Sequence, residues 1–211
     1  MSVLILGTPV FLALVGLALR SHRSYLVMSN RRLALGLVFE LAFGTAVFAY
    51  LRSRGWRWRQ ISLQFTIRDC LRALGVWLLG ILLVLSVSLL VFDVDPVFAI
   101  VGLSAHFYGH PSVFLAVIVT LVNPVFEEAL WLGYAVNGPG GRRLPAAVVW
   151  SVVPRCLVHL YQGWLALFFI APLGLWYLRY YLRTKRLWPI VIAHGLQDLL
   201  GLVLLAVRGA A

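Results

Sequence analysis

Three short segments of the 211-residue chain hold most of the side chains able to do chemistry inside apolar surroundings. NPVFEEALWLGY (123–134) sets Glu127 beside Glu128, two of the chain's three glutamates. SVVPRCLVHLYQGW (151–164) carries Arg155 and His159, and WPIVIAHGLQDLLG (188–201) carries His194 and Asp198. Each of the latter pairs is four residues apart, so on a helix its members share one face. Adjacent Glu127 and Glu128 project about 100° apart, so only one can point squarely at a common centre.

Such a set suits hydrolysis. Glutamate can take a proton from water, and a facing histidine can share that water. A second imidazole can donate to the oxyanion that forms when water attacks an amide. Two imidazoles and a carboxylate are also a catalytic zinc set, here Glu127, His159 and His194. A proton or ion relay through Glu127, Glu128 and Asp198 is the non-hydrolytic rival, because ionisable groups inside spans mark such paths too.

The elements that must position these residues are membrane spans. The chain is 62% hydrophobic and 12% charged, with mean hydropathy +0.94, well above the roughly 45–50% apolar content of a soluble domain. Apolar runs at 3–19, 33–51, 73–92, 112–136, 145–161, 164–182 and 188–207 each approach the ~20 residues of a spanning helix, predicting an all-α polytopic bundle of about seven helices, six to eight. A β-barrel is not expected, because the runs are continuously apolar and do not alternate. With no long polar insert, residues 1–211 read as a single transmembrane domain. The first run has no basic leader or small-residue cleavage site and reads as a retained helix.

The net charge of +11 points to membrane topology, since the basic residues lie in loops between spans. No nucleic-acid partner is expected. Placing the second, fourth and sixth loops in the cytoplasm leaves the acidic third loop, around FDVDPV, outside; the basic first loop breaks the pattern. ISLQFTIRDCLRALGVW (61–77) mixes polar and apolar residues and predicts an interfacial start to the third span. Pro154 predicts a break that re-aims His159, which otherwise lies about 21 Å along a helix begun at Pro145.

Other candidates read as structural. Glu40 is solitary, suited to an interhelical hydrogen bond or a shallow site. Cys156 is a small hydrophobe, and no disulfide with Cys70 is expected. His106 and His110 fall in a polar loop, and Trp164, Trp176 and Trp188 suit spans and interfaces.

Together EEALWLG, RCLVH and HGLQD resemble the motifs of the CPBP family, the CAAX prenyl proteases and bacteriocin-processing proteins also called Abi. The resemblance covers roughly residues 112–205. It implies an intramembrane endopeptidase cleaving a peptide bond near the membrane surface, with membrane lipid and a peptide or protein, lipidated or membrane-anchored, as partners. It also implies the plasma (inner) membrane of a prokaryote as the setting.

Carried over, Glu127 and His159 activate water, Glu128 supports them, and His194 with Asp198 forms the oxyanion pocket. The family pattern leaves open a metal-independent glutamate mechanism or one using zinc. Three positions depart from it: Leu132 stands at the motif arginine, Arg155 at the phenylalanine, and Asp198 at the final asparagine. Arg155 is expected to supply the charge missing at Leu132. The departures also raise a non-proteolytic scaffold or immunity protein of the same fold.

Overall fold

The computed structural model describes residues 2–18, 26–27, 29–57, 64–92, 107–108, 112–137, 143–162 and 166–209. His106, His110, Trp164 and most of the acidic loop lie outside the described residues. The architecture is all-α, with seven long helices among the described residues. They are α1 (Ser2–Ala18), α2 (Asn30–Ser53), α3 (Arg68–Phe92), α4 (Val113–Glu128), α5 (Leu144–Val158), α6 (Leu167–Thr184) and α7 (Trp188–Gly209). Besides the helices, the two-residue segments Leu26–Val27 and Phe107–Tyr108 pair in parallel.

Residues 30–53, 68–90 and 113–137 are long and apolar enough to cross a membrane. The outward side of α3 shows which solvent it meets. Leu71, Leu74, Leu78, Leu82 and Leu89 are all exposed and recur at helical spacing, a stripe that suits hydrocarbon.

Inside, α3 and α7 pack along each other, α7 also packs on α4, α5 on α6, and α2 on α4. A core of Val76, Leu132, Val152, Tyr177, Leu178 and Ile190 joins α3, α5, α6 and α7 to the continuation of α4. Hydrocarbon does not drive helices together, so close packing and interhelical polar bonds must hold such a bundle.

Both devices are visible. Pro124 in α4 has no N–H, which frees the Thr120 carbonyl from its helical partner. At that point α7 comes close: a Cβ placed on Gly195 would lie 3.0 Å from the Thr120 carbonyl oxygen and 3.7 Å from Pro124 Cγ. Gly195 follows His194 directly, so this approach sets how near that imidazole comes to α4.

The polar bond is at the other end of α7. Asp69, fully buried at the start of α3, accepts from Arg186 Nε and Nη2, each at 2.6 Å. It also accepts from the Thr66 backbone N–H at 2.8 Å and the Thr66 hydroxyl at 3.0 Å. This clasp ties the turn between α6 and α7 to α3. From Arg68 onward the segment is one continuous helix with the span, capped by Thr66 and Asp69. Residues 61–63 lie outside the described part.

Gly195→Ala is expected to destabilise the bundle by about 1–3 kcal/mol, the usual cost of overpacking, because the new methyl meets backbone. Thermal unfolding in detergent measures it. Asp69→Ala should lower the same midpoint, by about 1–3 kcal/mol for donors left unpaired.

Candidate active site

Helix α4 brings the two glutamates to the bundle interior, and they then part. Glu128 is fully buried. Its carboxylate accepts from Arg155 Nη1 at 2.8 Å and Nη2 at 2.6 Å, one bond to each oxygen. His194 Nδ1 lies 2.7 Å from Oε1. Arginine keeps its proton, and a carboxylate paired with it can only accept. The hydrogen in the third contact therefore sits on His194 Nδ1, and Glu128 ties α4 to both α5 and α7.

Arg155 reaches Glu128 from the last turn of α5 and is itself only 4% exposed. Space for its stem comes from Gly174 on α6, where an added Cβ would come 3.2 Å from Arg155 Cδ. The guanidinium carbon lies 5.8 Å from the centre of the Tyr177 ring, within cation–π range. Leu132, at the motif arginine's position, has no exposed surface and belongs to the apolar core. The positive charge beside the second glutamate thus comes from α5.

Glu127 turns the other way. Its Oε2 lies 3.7 Å from His159 Nε2, too long for a direct hydrogen bond. Glu127 Oε2 and His159 Nδ1 are both buried without a hydrogen-bond partner among the described residues. His159 is the residue after α5, with φ −91° and ψ 0°. Pro154 does not break the helix before it, as expected from sequence; α5 continues to Val158 and ends one residue before the imidazole. Missing one N–H near the end of a helix is tolerated when packing holds the turn, and Pro154, Ser151 and Arg155 are all buried.

On α7, His194 Nε2 faces Asp198 Oδ1 at 3.6 Å. Asp198 Oδ2 accepts a hydrogen bond from Asn123 Nδ2 at 3.4 Å. The three clusters are therefore brought together, and Glu127 interacts electrostatically with His159, His194 and Arg155.

Three features were not foreseen. After Glu128, residues Ala129–Tyr134 form a π-helix, a wide turn that recurs at functional sites. It buries Leu130 through Tyr134 in succession. Asn123 went unnoticed, although it precedes Glu127 by four residues and so shares its face. Glu40 makes no interhelical hydrogen bond through Oε2, which is buried without a partner among the described residues. It lines an otherwise mostly apolar cleft of about 510 Å³ between α2 and α4 and interacts electrostatically with Glu127 and Asp198.

Of the three residues that could hold a zinc ion, Glu127 Oε2 and His159 Nδ1 have no hydrogen-bond partner among the described residues, whereas His194 is held by Glu128. Both oxygens of Glu128 are taken by Arg155, His194 Nδ1 by Glu128, and the remaining His194 nitrogen faces Asp198. Among the described residues no group of three or more His, Cys, Asp or Glu side chains is arranged to hold one. Cys70 and Cys156 are both free thiols.

Fold and site define an integral membrane protein of several helices whose buried glutamates, histidines and arginine converge from three of them. Residues 109–200, less than half of the chain, match a family model described as Rce1-like, type II CAAX prenyl endopeptidase. The match bears out the resemblance carried by EEALWLG, RCLVH and HGLQD, and it supports membrane protease function in general. No curated protein and no solved structure matches the chain.

Arg155→Leu is expected to leave Glu128 as an uncompensated buried charge and to destabilise the protein by about 3–5 kcal/mol. Arg155→Lys should recover only part of this, because an ammonium cannot reproduce two parallel bonds to one carboxylate. Thermal unfolding of the purified variants in detergent reads both.

Proposed function

We propose that the protein is an intramembrane endopeptidase of the CAAX-processing kind, using water activated by Glu127 and His159. The observation that carries this reading is the Glu127–His159 pair. Two polar atoms 3.7 Å apart are too far to bond directly, yet a water beside the line between them can reach both at about 2.8 Å. Glu127 Oε2 has no other hydrogen-bond partner among the described residues to compete for that water.

In the first step Glu127 takes one proton from the water while the water oxygen bonds to the scissile carbonyl carbon. The carbonyl electron pair moves onto its oxygen. In the second step the oxyanion re-forms the carbonyl, the carbon–nitrogen bond breaks, and the proton held by Glu127 passes to the leaving amine. His159 holds the water and orients its lone pair. Arg155, Glu128 and His194 make no bond to the water in this scheme; they fix the helices that carry Glu127 and His159.

No step of this scheme is routed through zinc. The substrate is a peptide with its scissile bond near the membrane surface. The cleft beside Glu40 offers apolar volume for a lipid-modified side chain or for membrane lipid. The setting we propose is the plasma membrane of a prokaryote, as the resemblance to bacteriocin-processing proteins suggests.

The test is cleavage of a fluorogenic peptide bearing a prenylated CAAX cysteine by protein reconstituted in liposomes. Wild type should cleave it, Glu127→Ala should lose about 10²–10⁴-fold in kcat, the usual worth of a general base, and a chelator should leave the rate unchanged. Full activity in folded Glu127→Ala would refute the assignment.

A further inference from the structure

The oxyanion pocket implied by the family motif is incomplete in this chain. Asp198 stands where an amide donor is expected, and an ionised carboxylate has no hydrogen to give. His194 Nδ1 is committed to Glu128, and its Nε2 faces Asp198. Even with one bond from His194 Nε2, a carbonyl oxygen gaining negative charge here lacks the second, amide donor of the motif.

Such a donor is present on the neighbouring helix. Asn123 lies one turn before Glu127 on α4, and its side-chain nitrogen donates to Asp198 Oδ2 at 3.4 Å. Because a carboxylate only accepts, the NH₂ end of the amide is the end that faces the site. That group has two hydrogens, and among the described residues only one is used in a hydrogen bond. Asn123 and Glu127 stack along α4 as Asp198 and His194 stack along α7. The amide thus comes to the site next to the base, held by a carboxylate that is itself beside His194.

We infer that Asn123 is a catalytic residue whose free amide N–H stabilises the oxyanion, with Asp198 as the positioning residue that orients it. The motif's asparagine position holds a carboxylate, Asp198 on α7, and the amide that faces it is Asn123 on α4. The inference rests on the endopeptidase reading. In the attack step the Asn123 N–H hydrogen-bonds to the oxygen that receives the carbonyl electron pair; no proton leaves the amide.

The experiment measures kcat and KM on the same prenylated peptide in liposomes, with thermal unfolding as a fold control. Asn123→Ala should lower kcat by about 10²–10³-fold, the effect of removing one oxyanion donor, with KM little changed. Asn123→Leu, similar in volume but without a donor, serves if the alanine variant fails to fold and should lose kcat equally. Asn123→Asp should be inactive, and combining it with Asp198→Asn should restore most of the loss by returning an amide to the pair.

A merely structural role would lower the unfolding midpoint without this split and without rescue, and would overturn the inference. So would unchanged kcat in a folded Asn123 variant. Glu127→Ala, run alongside, separates the two readings. If it is inactive while the Asn123 variants are not impaired, only the Asn123 assignment falls; if it cleaves like wild type, or wild type does not cleave, both fall.

Discussion

Everything at the centre of this bundle depends on one buried carboxylate. Glu128 has no exposed surface, and a lone charge there would be strongly unfavourable. Arg155 and His194 satisfy it with three short bonds from two other helices. Removing the pair for an apolar one would often cost a protein little, so such an interaction is weak evidence for stability in itself. Its consequence here is geometric: α4, α5 and α7 can meet in only one relative placement that leaves no charge stranded.

The rest of the structure serves that placement. Gly174 clears space for the Arg155 stem, and Gly195 lets α7 approach the carbonyl that Pro124 leaves unpaired. The Asp69–Arg186 clasp fixes where α7 begins. With Glu128 occupied, Glu127 is left to face His159, and the two adjacent glutamates take separate tasks. One carries the charge balance of the interior and the other keeps an oxygen without a hydrogen-bond partner among the described residues.

The apolar runs made the helices legible, because hydrocarbon leaves long continuous hydrophobic segments as the only way to bury backbone. Spacing also showed that Arg155 with His159, and His194 with Asp198, share helix faces. Which cluster meets which was not in the spacing, since it depends on helices crossing in three dimensions. The ion pair of Arg155 with Glu128 could be expected from Leu132 only because the resemblance supplied an arginine to miss. Pro154 misled, as local propensity gave way to packing. The π-turn after Glu128 has no periodicity signal, and Asn123 looked like an ordinary residue before a proline until Asp198 was found opposite it.

The central claim is that Arg155 and Glu128 act as one unit that positions the site, and a double-mutant cycle on kcat for peptide cleavage tests it most directly. Glu128→Gln and Arg155→Met should each reduce kcat, and the double variant should lose no more than the worse single one, because the second change removes a partner already unpaired. Losses that multiply independently would contradict the account.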